Sequence, residues 1–172
     1  GFLAGTSAFE YIKGLKKCIR DVKEDEFKKQ LRAEESLMNQ FVSQSGSENA
    51  RQIHIEMGDL MTDNVTVVRY NKQLEETLVK LSEYQDRLKR VKIPDASKWS
   101  NQSLFYTREL YHMLDIAKLI TKGALARNES RGAHYKPDYP DRNDEQWLKT
   151  TIAEYKNGEP ELSYEAVDTS LV

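Results

Sequence analysis

"NQSLFYTRELYHMLDIAKLITKGALARN", residues 101–128, decides the fold. Leu104, Leu110, Leu114, Ala117, Ile120, Thr121 and Ala124 recur along it at helical spacing. A stretch this long with that period and no proline is one continuous helix with one buried face. Ser100 is placed to cap its first turn. Gly123 and Ala124 are small, so another backbone can approach closely near its end.

A long one-faced helix needs partners, and the flanking sequence supplies them. Residues 71–91 carry Leu74, Leu78, Leu81, Leu88 and Val91 on one side. That is close to heptad spacing, which suits antiparallel bundle packing. The connector "KIPDASKWSN" (92–101) contains Pro94, which ends this helix. Further upstream, Ser47 offers an N-cap for a helix with Ala50, Ile53, Met57, Leu60 and Met61 as its stripe. "DNVTVV" (63–68) is β-branched, yet its position between two helices marks it as a continuation of the helix before it.

Two more helices precede these. Residues 24–44 carry Phe27, Leu31, Met38, Phe41 and Val42, and "SQSGSEN" (43–49) stops the run. Ser7 followed by Glu10 fits a capping box for a first helix with Phe9, Ile12, Leu15 and Ile19. Gly14 weakens that helix.

Beyond Arg131 the period fails, and Pro137 and Pro140 exclude a continuous helix. "DRNDEQWL" (141–148) reads as one short helical turn. "LKTTIAEY" (148–155) and "ELSYEAVD" (161–168) are strand-like, and Asn157-Gly158 between them is a hairpin signal. The expected fold is mainly all-α. It is an antiparallel three-helix bundle preceded by one or two further helices, with an irregular C-terminal tail that carries a candidate β-hairpin. Residues 1–46 are linking helices, 47–130 the bundle, and 131–172 a tail packing on it.

Composition narrows the class of function. The 26 Lys and Arg against 28 Asp and Glu give a net charge of −2, which provides no electrostatic case for nucleic acid. The apolar runs fall short of a membrane span, so direct membrane insertion is not expected. Residues 1–15 lack a signal peptide's basic start, and Glu10 interrupts them. Residue 1 is Gly rather than Met, as in a piece of something longer. Cys18 is the single cysteine, so neither an internal disulfide nor a multi-cysteine metal site is available. A reducing compartment follows most simply.

None of the eight glycines builds GxGxxG or GxxxxGK[ST], and HExxH, CxxC and GxSxG are absent. His54 and His112 sit in amphipathic helices and read as hydrogen-bonded packing residues. Trp99 and Trp147 flank polar loops and read as anchors for them. The one dense constellation is "NESRGAHYKPDYPDRNDEQW", residues 128–147. One reading makes His134 a general base oriented by Asp138, with Ser130 as nucleophile and Arg131 as anion clamp. The other is an ion-pair network in which Arg131 and Arg142 hold Glu129, Asp138, Asp141 or Asp144. The second is favoured, because these acids and arginines can satisfy one another and no orphan reactive group stands out.

The same stretch resembles the C-terminal region of the succinate dehydrogenase and fumarate reductase flavoprotein subunits. L-aspartate oxidase has a looser version. "MTDNVTVVRYN", "DASKWSNQS", "MLDIAKLITKGALARNESRGAH" and "PELSYEAVD" extend the resemblance, and "FLAGTSAFEYIKGL" looks like the last helix of the family's flavin-binding domain. Gram-positive succinate dehydrogenase flavoproteins look most similar. The resemblance implies a parent enzyme with FAD that oxidises succinate and passes electrons through an iron–sulfur subunit to quinone. It implies a place on the cytoplasmic side of the plasma membrane, as a peripheral part of a complex with a membrane anchor. The family's dinucleotide fingerprint and flavin-linking histidine lie upstream of this chain, so no catalytic, FAD-binding or metal residue is expected here. Arg131, His134, Asp138 and Arg142 match the family's C-terminal signature and, with Glu129, are carried over as a seam against the flavin-binding domain. An interaction module without catalysis is a reading from a different class.

Overall fold

The computed structural model describes residues 1–97, 99–156 and 159–169, in two compact units, Gly1–Asn39 and Gln40–Val172. The first holds α1 (Phe2–Gly14), a 3-10 turn (Ile19–Asp21) and most of α2 (Glu24–Ser43). α1 begins at Phe2, so Ser7 lies inside the helix and does not cap it. Glu10 pairs with Lys13 instead, at 3.1 Å. Gly14 is the last helical residue, and Leu15 and Ile19 fall beyond it. Phe9, Ile12, Phe27 and Leu31 are exposed, so their helical spacing builds no core within this unit.

The second unit contains the core. Phe41, near the end of α2, is buried and meets the Tyr111 ring edge-on at 6.0 Å. Next come α3 (Ala50–Val65), α4 (Asn71–Leu88) and α5 (Gln102–Ala126), each packed on the other two. Ile53, Met57, Leu74, Leu81, Leu88, Val91, Leu104, Leu110 and Leu114 are buried between them. The chain direction alternates. Glu48, before α3, bridges Val91, after α4, and Asn71 at the start of α4 bonds Asn128 past the end of α5. His54 meets Tyr106, and Thr121 reaches Met61 at 3.7 Å, so α3 and α5 run the same way.

The caps differ from those the sequence suggests. Asn49, not Ser47, caps α3 through Oδ1, which accepts from Arg51 N at 2.8 Å. Asn101, not Ser100, caps α5 by accepting from Leu104 N at 2.9 Å. Its amide also donates to Asp95 O and Ser97 O, and Ser100 instead takes a left-handed φ of 54°. Asparagine suits both sites because its carbonyl accepts from the helix while its amide can still donate elsewhere.

The stripes are narrower than the spacing implies. Ile120 is 48% exposed, and a Cβ added at Gly123 would meet open space rather than a neighbouring backbone. Trp99 is 88% exposed and anchors nothing. α4 ends at Leu88, so Val91 joins the core from the following turn. "DNVTVV" divides: Val65 closes α3 inside the core, and Val68 leaves the helix to bridge Tyr135. The backbone approach that requires glycine is at Gly46, where a Cβ would stand 1.8 Å from Arg90 O.

After α5 come the short helix α6 (Asp144–Trp147) and antiparallel strands β1 (Lys149–Lys156) and β2 (Glu159–Ala166). The expected Asn157-Gly158 turn lies outside the described residues. Glu159 fastens β2 to α5, accepting from Lys118 at 3.0 Å and Lys122 at 2.9 Å. No helix of the described residues is long and apolar enough to cross a membrane.

Leu114 and Ile120 share one sequence stripe but not one environment. Leu114→Ala is expected to cost ~2–5 kcal/mol, and Ile120→Ala less than about 0.5. Urea unfolding of the two variants measures the difference.

Candidate functional site

The chain leaving the end of α5 brings Arg127 and Glu129 to one place. The Glu129 carboxylate is fully buried. Oε1 accepts from Arg127 Nη1 at 2.6 Å and Arg131 Nε at 2.9 Å. Oε2 accepts from Arg131 Nη2 at 3.0 Å and from Asn143 N at 2.9 Å. Burial pushes this carboxyl upward, but the donors from Arg131, Asn143 and Arg127 outweigh it and hold it at about 2. Arg131 reaches onward to Asp144 Oδ1 at 2.6 Å, and Arg142 grips both Asp144 oxygens at 2.7 and 2.6 Å. The two guanidinium groups hold Asp144 at about 2.

Arg127 ties this cluster to the tail. Its Nη1 also donates to Trp147 O at 2.9 Å, its Nη2 to Lys149 O at 2.7 Å, and it lies over the Trp147 ring at 5.2 Å. That ring packs edge-on against Tyr164 at 5.6 Å, so Arg127 links α6 and both strands to the end of α5.

His134 occupies the other flank. Nε2 donates to Arg127 O at 3.0 Å, which fixes the tautomer and leaves Nδ1 to accept from Arg69 Nη1 at 2.5 Å. Arg69 also donates through Nε to Val65 O at 2.8 Å and through Nη2 to Thr66 O at 2.9 Å. Burial and the charges of Arg69, Lys136 and Arg127 lower the imidazole, against the one opposing effect of the Arg127 carbonyl. Lys136 is fully buried, and its ammonium donates to Leu125 O at 2.9 Å and Asn128 Oδ1 at 3.1 Å. It thereby satisfies a carbonyl in the last turn of α5, where a cation is favoured. Burial, with Arg69 adding to it, drops the Lys136 amine to about 8.

These positions settle what the sequence-predicted residues do among themselves. Arg131 and Arg142 hold Glu129 and Asp144. Asp138 is exposed and touches the network only through its charge on Lys136. It does not orient His134, whose ring is held by Arg69 and Arg127. Asp141 contributes its carbonyl, which accepts from Ser130 N at 3.2 Å. The Ser130 hydroxyl is engaged by backbone: Oγ donates to Tyr139 O at 2.8 Å and accepts from Lys136 N at 2.9 Å. Gly132 turns the chain with φ 57°, and the Arg131 and His134 backbones pair across that turn at 2.8 and 3.0 Å.

Sequence reasoning missed Arg69, Arg127, Lys136 and Asn143. Arg127 was legible as the last basic residue before Glu129. Arg69 stands 65 residues from His134, and nothing in spacing marks Lys136 as a buried cation. Among the described residues no group of three or more His, Cys, Asp or Glu is arranged to hold a metal. The described strands form only the terminal hairpin, so they offer no strand–glycine turn–helix to cradle a dinucleotide. A separate cleft of about 360 Å³ lies among Asn49, Arg51, Lys92, Gln102 and Tyr106, and no seam residue lines it.

Glu129→Ala removes the buried acceptor that Arg127, Arg131 and Asn143 N share and is expected to destabilise the chain by ~3–5 kcal/mol, whereas Arg142→Ala at the exposed rim costs less than about 1. Chemical denaturation ranks them. Glu129 and Asp144 both have folded values below the ordinary 4.5 and 3.8. Their contribution is present above about pH 4.5 and is lost as pH falls toward 2. Melting curves between pH 5 and 2 follow that loss, and Glu129→Ala reduces the slope.

Comparison with known proteins places this architecture. Residues 54–172 match the family model described as "Fumarate reductase flavoprotein C-term". The chain is 46% identical over its whole length to the succinate dehydrogenase flavoprotein subunit of Bacillus subtilis and covers 30% of that protein. Over 72% of its length it is 38% identical to the fumarate reductase flavoprotein subunit of Haemophilus influenzae, covering 21% of that one. In structure it superposes on an E. coli quinol fumarate reductase chain with a TM-score of 0.81 and 35% identity, over 88% of this chain and 26% of that one. The chain therefore spans less than a third of the length of these relatives, and it belongs to the succinate dehydrogenase and fumarate reductase flavoprotein family, in that family's C-terminal region.

Proposed function

We propose that the chain serves as the C-terminal helical part of a succinate dehydrogenase flavoprotein subunit. The parent enzyme oxidises succinate to fumarate with FAD and passes electrons through an iron–sulfur subunit to quinone. It sits peripherally on the cytoplasmic side of the plasma membrane, held by a membrane anchor subunit. The observation that carries this is the 46% identity to a succinate dehydrogenase flavoprotein across the whole chain. Fumarate reductase is the second reading, supported by the family model and the 0.81 TM-score.

In this reading the work is divided. Residues 1–46 end the flavin-binding domain and link it onward, 47–130 form the bundle, and 131–172 are the tail on it. FAD and the catalytic groups belong to the upstream domain. That division is supported by the exposed Phe9, Ile12, Phe27 and Leu31, apolar surface of the sort a further domain covers. Glu129, Arg131, His134, Asp138 and Arg142 stiffen the face that seats against the flavin-binding domain. Glu129, Arg131 and Arg142 hold charge in fixed pairs, and His134 is engaged through both ring nitrogens.

The purified 172-residue chain is expected to be colourless and inactive in succinate-driven dye reduction. The full-length flavoprotein is expected to carry flavin and reduce the dye. A flavin spectrum in the isolated chain overturns the division. A full-length protein that reduces fumarate far faster than it oxidises succinate favours the second reading.

A further inference from the structure

We infer that His134 is an acid-released latch: as a neutral ring it holds the α3–α4 connection onto the tail, and as an imidazolium it lets that connection go.

The connection, residues 66–70, attaches to the tail through few bonds. Tyr135 N donates to Val67 O at 3.2 Å and Arg69 N to Tyr135 O at 2.9 Å. The third tie is Arg69 Nη1 to His134 Nδ1. A guanidinium can only donate. The bond therefore exists only while Nδ1 keeps its lone pair. Because Nε2 already donates to Arg127 O, a second proton has no site but Nδ1, and there it points hydrogen against hydrogen at Arg69.

Apart from the Arg127 carbonyl at Nε2, the surroundings offer that proton no compensation. From the α3–α4 connection the ring faces Arg69, from the end of α5 Arg127, and from its own segment Lys136, all cations. Glu129 at the end of α5 is occupied by Arg127, Arg131 and Asn143 N, and Arg131 turns its guanidinium to Glu129 and Asp144. Asp138 is exposed and acts on Lys136. Arg69 loses nothing essential by leaving, since Val65 O and Thr66 O still accept from it. The first bonds to open are then the Val67–Tyr135–Arg69 ladder, while the leucine core of the bundle stays closed.

The sign follows from the depressed imidazole. Its contribution to stability is complete above the ordinary value of 6.5 and erodes as pH falls from there toward the lower folded value.

Amide hydrogen exchange on the 172-residue chain between pH 7.5 and 5 tests this. Protection at Arg69 and Tyr135, corrected for intrinsic rates, is expected to fall severalfold as the ring takes its second proton. Leu81 and Leu114 are expected to keep theirs. Imidazole NMR should show His134 as the Nε2–H tautomer, titrating below 6.5. Arg69→Met removes the guanidinium without touching the ring and should raise that midpoint, and His134→Gln should abolish the acid-dependent loss at Tyr135. A His134 midpoint at or above 6.5, unchanged by Arg69→Met, overturns the latch. So does a fall in protection at Tyr135 that survives His134→Gln or that Leu81 shares equally. Should His134→Gln not fold, the Arg69→Met titration decides alone.

Discussion

A carboxylate sealed from water has to be neutralised where it stands, and Glu129 sets the terms for the C-terminal segment of this protein. Its two oxygens take four donors, from Arg127, Arg131 and the Asn143 backbone. Each donor comes with further attachments. Arg127 carries Trp147 and Lys149, Arg131 carries Asp144, and Asn143 caps α6 through Gln146 N. A segment with two prolines and no periodic structure is thus held in one shape by electrostatics rather than by apolar burial. The same donors commit the lone pairs of Glu129 and, through Arg131 and Arg142, those of Asp144 to structure.

The bundle uses the complementary strategy. Leu81, Leu114, Ile53 and Leu74 lie fully inside, and polar side chains bind the helices at their margins. Arg87 joins α4 to α3 through Glu56 and to the preceding segment through Glu48. Gln85 accepts from Lys118 and donates to Asp115, and Lys118 continues to Glu159 of the hairpin. A two-stranded hairpin is marginal alone, and here it rests on α5 through those lysines and on the Trp147–Tyr164 contact. The helical layer and the tail are therefore coupled at two ends: by Glu159 along α5 and by Arg127 at its terminus.

Much of this was legible in sequence, for a physical reason. Leucines at 104, 110 and 114 repeat with the helix, and burial follows period when a helix has neighbours on one side. The same rule failed at Ile120, Phe27 and Leu31, because period marks which face is apolar and not whether anything covers it. Capping was misassigned from Ser47 to Asn49 and from Ser100 to Asn101. Local sequence offered several good caps within two residues, and backbone geometry chose among them. The seam was visible as an excess of arginines and acids. Its Arg69 and Lys136 were not, because a contact across 65 residues leaves no trace in local composition. Succinate dehydrogenase and fumarate reductase flavoproteins share this C-terminal region, so resemblance identified the family where spacing identified only the bundle.

The placing of Glu129 ahead of most of its partners has a consequence for how the chain is made. A ribosome releases α5 and this glutamate before Arg131, Asn143 and the prolines between them emerge. A nascent chain that stops inside that interval holds an acid whose pocket cannot yet close. Domains tend to fold as they leave the exit tunnel, amino end first. The bundle can then assemble first, and the Glu129 cluster closes only once Arg131 and Asn143 have left the tunnel. A chain that ends inside that interval leaves the Glu129 carboxylate in water instead of among its donors, and leaves Arg127 without the tail carbonyls it would hold.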